Sequence, residues 1–231
     1  MIDDQIIYED NHLIAINKLP GQLVQGDKTG DACLADEIKQ YIKIRDNKPG
    51  NVFCGVIHRL DRPVSGVVLF AKTSKALSRM NELVKSRNFQ KTYWAVVGNR
   101  PEHEADTLKD WIFRDEKNNK SYVVDHNAGG YRSANAKLAE LDYRLVAVST
   151  GGYNLLEVNL HTGRHHQIRC QLANIGCPIK GDLKYGAPRS NPDGSISLHA
   201  RRVVFEHPVS HLTIDIVAPN PVFESMFAIK C

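Results

Sequence analysis

Short apolar runs separated by turn residues recur along the whole chain, and this spacing is what most restricts the fold. "IIYEDNHLIAINK" (6–18) reads as two short strands around a polar turn supplied by Asp10 and Asn11. "CGVIHRL" (54–60) and "GVVLFAK" (66–72) are rich in Val, Ile, Leu and Phe and read as strands punctuated by Pro63 and Gly66. "KTYWAVVG" (91–98) is a further strand. "SANAKLAELDYRLVAV" and "YNLLEVNL" form a long pair joined by "STGG", and "SLHARRVVFEHP" with "HLTIDIVAP" alternates like two antiparallel strands. Between Arg100 and Arg132 the chain is polar and predicts irregular structure, with a hairpin tip at Asp115–Lys120.

Helical spacing is confined to a few segments. Leu34, Ile38, Tyr41 and Ile42 predict a helix from Asp31 to about Ile44, with Asp31 as its cap. Thr73 or Ser74 caps a second, on which Leu77, Met80, Leu83 and Val84 share a face. In "RHHQIRCQLANIG", Ile168, Leu172 and Ile175 make an apolar stripe ended by Gly176, so His165 and Arg169 lie one turn apart on one side. Antiparallel strand pairs with inserted helices make an α+β fold, not a wound parallel sheet. With 231 residues, a single domain over 1–231 is the expectation.

Composition removes several functional classes. An apolar content of 42% with 24% charged residues belongs to globular chains, not to disordered or fibrous ones. No stretch is long enough to span a membrane, and the acidic N-terminus lacks the pattern of a secretion signal, so the expected location is the cytoplasm. The five cysteines (Cys33, Cys54, Cys170, Cys177, Cys231) form no C-x-x-C pair and read as reduced, mostly buried thiols. Phosphate-cradling glycine patterns are absent, and "VSG" around Ser65 lacks the first glycine of a nucleophile elbow. "HTGRHH" has no metal-ligand spacing, so neither a metal nor a cofactor is expected. The net charge of +4 says little, but its distribution says more. Lys72, Lys75, Arg79, Lys85, Arg87 and Lys91 face a single acid, Glu82, and a second basic cluster comprises Lys180, Lys184, Arg189, Arg201 and Arg202. Each reads as a solvated face or as a path for phosphates.

Asp61 is the most informative single residue. It sits on a loop between two apolar segments, between Arg59 and Arg62 and before Pro63. Asp before Pro is ordinary turn chemistry. A carboxylate in such surroundings is also partly desolvated, which favours its neutral form unless a cation holds it ionised. Arg59, Arg62, Arg164 and Arg169 are the candidate cations.

"HRLDRPVSG" (58–66), "QKTYWAVV" (90–97) and "HTGRHHQIRCQLANIGCPIKGDLKYG" (161–186) together resemble the signature segments of the RluA family of RNA pseudouridine synthases. "IIYEDNHLIAINK" and "LHARRVVFEHP" resemble the family's opening and closing strands, so the likeness covers nearly the whole chain. The resemblance implies that Asp61 is the catalytic aspartate, attacking the ribose or removing its 2′ proton. It further implies that Tyr93 stacks on the uracil and is suited to taking the C5 proton, and that Arg169 pairs with the carboxylate. Arg59 would enter the RNA stack when the uridine is flipped out, and Leu60 and Ile168 would be pocket walls. Arg62, Arg164, His165, Lys72, Lys75 and Arg79 complete the expected substrate-binding set. The chemistry itself demands a carboxylate, a group near C5 and a dry pocket, but no metal.

Val64 and His165 stand where the family usually has threonine, the opening motif reads "NKLPG" where K-P-x-G is usual, and "HPVSHLTI" lacks the familiar T-G-E. As the sequence opens directly on these strands, no preceding S4 domain is expected. The expected activity is therefore isomerisation of uridine in structured RNA, tRNA or 23S rRNA, selected by the catalytic domain itself. A silent RNA-binding or assembly protein of the same fold is the alternative, and a histidine-based metallohydrolase a weaker one. Which uridine is modified, and the oligomeric state, are open at this stage.

Overall fold

The structure is a computed structural model that describes residues 2–26 and 30–229. In chain order the elements are β1 (Ile6–Glu9), β2 (Leu13–Lys18), α1 (Leu34–Arg45), β3 (Gly55–Val56), β4 (Ser65–Ala71), α2 (Ser74–Lys85), β5 (Phe89–Val97), β6 (Ala105–Asp115), β7 (Lys120–Val124), α3 (Gly130–Ala134), β8 (Lys137–Val148), β9 (Asn154–Leu160), α4 (Gln167–Asn174), β10 (Leu198–Glu206), β11 (Thr213–Val217) and α5 (Pro221–Met226). The α+β class with mainly antiparallel pairing is as expected. Packing divides the chain into two units, Met1–Lys91 with Ala200–Asn220, and Thr92–His199 with Pro221–Cys231. Among the described residues no helix is long and apolar enough to cross a membrane.

In the first unit, β2 pairs antiparallel with β1 on one side and with β4 on the other, in register from Leu13 opposite Ala71 to Lys18 opposite Gly66. β10 lies beside β4 and pairs antiparallel with β11. Gly66 is required there: its φ is +113°, and a Cβ would stand 2.3 Å from the Ala200 carbonyl oxygen. One face of this sheet is covered by α1, whose Leu34, Ala35, Ile38 and Ile42 pack on Ile14, Ile16, Val68 and Phe70. Burying each such aliphatic chain is worth about 1.5–3 kcal/mol. Thr73 caps α2 by accepting a hydrogen bond from the Ala76 amide, as its position predicts.

Two local expectations fail here. α1 begins at Leu34 and its cap residue is Cys33, because the carboxylate of Asp31 is paired with Arg62. The strand expected through Leu60 is only Gly55–Val56. The Leu69 amide of β4, which a longer β3 could have engaged, instead donates to the His58 ring at Nε2 (3.2 Å). Burial, reinforced by Lys91, pulls the pKa of His58 down to about 3, so the ring is neutral and able to accept.

In the second unit the strands follow the order β5, β9, β8, β6, β7, each antiparallel to its neighbour. The polar stretch after Arg100 is not irregular, since it contains the 11-residue strand β6. Its polar residues are matched across the sheet: Thr107 stands opposite Asp142 and donates to it, and Lys109 stands opposite Glu140 with an ion pair. The tip between Asp115 and Lys120 is where the sequence places it. Trp94, Val96 and Leu155 form a core with Phe223 and Phe227 at the α5 end. Cys33, Cys170 and Cys177 are buried free thiols and Cys54 is partly buried, while Cys231 lies outside the described residues.

Candidate active site

Asp61 opens a tight turn in the first unit, where the Val64 amide donates to the Asp61 carbonyl at 3.0 Å. That turn is gripped by the end of β2. Lys18 is fully buried and its Nζ donates to the carbonyls of Leu19 (3.1 Å), Arg62 (3.0 Å) and Val64 (2.5 Å). The Gly21 amide also donates to the Arg62 carbonyl (2.8 Å), and Arg62 Nε returns a bond to the Gly21 carbonyl (3.0 Å). Burial drives the Lys18 pKa down to about 8; the charge of Asp61 opposes that fall and the charge of Arg62 adds to it. Val64, a departure from the family pattern, is buried and contributes through its carbonyl.

The remaining residues expected to meet substrate in this unit divide by what they touch. Arg59 and Lys75 are exposed. Leu60 packs against the cluster beneath α1. Arg62 spends its guanidinium on Gly21 and on Asp31 (2.9 Å). Lys72 is bound to Glu9 (2.5 Å) and to the Asp10 carbonyl (2.7 Å), and Arg79 donates to the Pro208 carbonyl (2.7 Å). The basic segment is therefore partly structural.

In the second unit, Tyr93 is buried on β5, opposite Val158 of β9. The loop before α4 is knitted by Gln167, whose Oε1 accepts from the Arg164 amide (2.9 Å) and the Thr162 hydroxyl (2.8 Å), while its Nε2 donates to the Glu140 carbonyl (3.0 Å). Arg164 is exposed and donates from Nε to the Leu138 carbonyl (2.9 Å). His166 takes a left-handed backbone (φ 51°), so α4 starts only at Gln167. His165 consequently does not share a helix face with Arg169, contrary to the spacing argument. Its Nδ1 lies 2.9 Å from Ser121 Oγ and its Nε2 lies 3.0 Å from Asn119 Oδ1. The His166 Nδ1 meets the Tyr185 hydroxyl at 3.0 Å, and burial, with Arg169 adding to it, pushes the His166 pKa down to about 2.

Arg169 is buried on α4 and makes a two-pronged ion pair with Asp182, Nε to Oδ2 at 2.7 Å and Nη2 to Oδ1 at 2.9 Å. Its guanidinium also lies 5.1 Å from the centre of the Tyr185 ring. Ile168, beside it, is buried. Among the described residues, no three His, Cys, Asp or Glu side chains converge as a metal-ligand set.

Residues 12–174, which include Lys18, Asp61, Tyr93 and Arg169, match the model of the family described as RNA pseudouridylate synthase. The chain belongs to this family. A ribosomal large subunit pseudouridine synthase C of Rickettsia bellii is 32% identical, over 95% of this chain and 69% of that protein. A tRNA pseudouridine synthase C of Haemophilus influenzae is 30% identical, over 93% of this chain and 92% of that protein. Among solved structures, human RNA pseudouridylate synthase domain containing 4 superposes with a TM-score of 0.80 at 26% identity, over 97% of this chain and 92% of that one. Pseudouridine synthases are isomerases that convert uridine to pseudouridine in RNA, and the RluA-type resemblance of the sequence agrees with these matches.

Sequence reasoning about this pseudouridine synthase missed Lys18, Gln167, Asp182 and Tyr185. Lys18 stood in the quoted "NKLPG", and Asp182 and Tyr185 in "KGDLKYG". The available signal was their place inside segments that resemble the family's signatures, but no local pattern says that a lysine at a strand end will be buried.

Proposed function

We propose that this synthase isomerises one or a few uridines in structured RNA, tRNA or 23S rRNA, through Asp61. Asp61 attacks the ribose or removes its 2′ proton while uracil leaves, Tyr93 stacks on the base and serves proton removal at C5, and Arg169 supplies the cation paired with the carboxylate. The observation that carries this reading is the Asp61 turn, whose Arg62 and Val64 carbonyls a buried lysine holds in place. Such fixed geometry is what a reacting carboxylate requires. The family match over 12–174 runs through both units, which supports treating them as parts of one catalytic domain, proposed to span 1–231. A cytoplasmic location and cofactor-free chemistry are further parts of the proposal. Arg59 and Lys75, being exposed, are the first candidates for RNA contact, with Arg62, Arg164, His165, Lys72 and Arg79 tied to protein partners and Leu60 and Ile168 as walls. Extruding a uridine costs a few kcal/mol, which stacking and phosphate contacts offset.

The relatives' names divide between tRNA and the large ribosomal subunit, so the substrate is decided by mapping. Comparing pseudouridines in total RNA from strains with and without the gene should reveal one or a few lost sites, restored in transcripts by the purified protein. Unchanged maps and inert transcripts of both RNA classes would refute the proposal. Tyr93→Phe keeps the stacking ring and loses the hydroxyl, so RNA should still bind while single-turnover isomerisation slows roughly 10²-fold or more. An unchanged rate would remove the hydroxyl from the chemistry.

A further inference from the structure

We infer that Lys18 is a positioning residue for Asp61: its buried ammonium gathers the Arg62 and Val64 carbonyls onto one cation, fixing the direction of the carboxylate and placing a positive charge behind it. The inference rests on the reading of Asp61 as the reacting group. Three carbonyl acceptors at 2.5–3.1 Å account for the three donors of an ammonium, and two of them belong to the turn that Asp61 opens. A structural clamp alone needs no charge, since a neutral donor could serve those carbonyls without the cost of burying an ion. The charge gains its purpose from what faces it. Asp61 attracts it and Arg62 repels it, but Arg62 has its own counter-charge in Asp31.

The arrangement has a consequence at alkaline pH. Lys18 loses its proton near pH 8, well below an ordinary lysine, so the turn keeps its cation below that pH and loses it above. Single-turnover rates on a modifiable RNA should therefore fall as pH rises through about 8. Lys18→Arg retains its charge at every pH used, so the alkaline limb should vanish even if the larger head lowers the rate. Lys18→Met should be slower by about tenfold or more at pH 7, the factor that one lost pK unit of charge interaction represents. The RNA is common to all three enzymes, so any titration of the RNA itself cancels in the comparison.

A second measurement covers the case in which Lys18→Met does not fold. With lysine Cε labelled by carbon-13, wild type should show a resonance titrating about two units below an ordinary lysine and absent in Lys18→Arg, whereas that of Lys91, also lowered by burial, should persist in both. A clamp without an electrostatic role would alter stability and leave the alkaline limb where it is. An alkaline limb identical in wild type and Lys18→Arg, or no early-titrating lysine resonance that disappears in Lys18→Arg, overturns the inference. If Asp61→Asn still turns over, the reading of Asp61 itself fails, an outcome distinguishable from the other two.

Discussion

Asp61→Asn is expected to leave a folded protein that binds RNA and does not isomerise it. The fold should survive because the turn is held by backbone groups: the Val64 amide on the Asp61 carbonyl, and Lys18 on the carbonyls of Arg62 and Val64. None involves the Asp61 side chain. The amide preserves the shape of the carboxylate and removes its anionic oxygen, the atom that must attack the ribose or accept its proton. A single carboxylate acting as base contributes roughly 10²–10⁴-fold, so turnover should fall below about 1% of wild type. The charge coupling in the turn supplies an independent check. Asp61 raises the pKa of Lys18, so removing the negative charge should make Lys18 titrate below its value of about 8. Turnover near wild type would end the assignment of Asp61 as the reacting group.

Arg169→Met is expected to have the second largest effect, and to act in two separable ways. Arg169 and Asp182 are a buried, two-pronged ion pair, so cutting one side leaves a carboxylate buried without that partner. Breaking such a pair costs roughly 3–5 kcal/mol. For a chain of this length that should lower Tm by roughly 10 °C. Replacing both members, as Arg169→Met with Asp182→Leu, removes the stranded charge and should recover most of the stability. Activity should not return with it, because the proposed part of Arg169 in the reaction is to present a cation to Asp61. Arg169→Lys should keep part of the rate, since charge survives while the planar fork is lost. Thermal melts and single-turnover rates on the four proteins separate the two effects. Recovery of activity together with stability in the double variant would make Arg169 a structural residue and return the search for a counter-cation to the lysine behind the turn.

The two arginines that flank Asp61 illustrate how far sequence adjacency reaches. Arg59, Arg62, Arg164 and Arg169 were equal candidates on residue type alone, and the resemblance singled out Arg169. The structure gives Arg62 and Arg164 other work: one is bound to Asp31 and Gly21, the other to the Leu138 carbonyl. Basic residues in a run behave likewise. Lys72 holds Glu9 and Arg79 holds Pro208, while Lys75 stays exposed. A charge run in sequence counts like charges, whereas a folded surface distributes them among whatever acceptors the neighbouring strands bring within reach.

The sequence by itself determined the strands whose burial alternates or is continuous, β4, β5, β9 and β10, the cap of α2 at Thr73, the stop of α4 before Gly176, and the family to which Asp61, Tyr93 and Arg169 point. These are local facts, fixed by side-chain periodicity, capping chemistry and motif spacing within a few residues. Only the tertiary structure decided that β6 is a long strand, because its polar face is stabilised by partners on β8 about thirty residues away in sequence. It also decided that Asp31 serves Arg62 and does not cap α1, and that the left-handed turn at His166 removes His165 from the helix. Lys18 and Asp182 became visible the same way: whether a charged side chain is buried, and on which acceptors it spends its hydrogen bonds, depends on segments that meet only when the chain has folded.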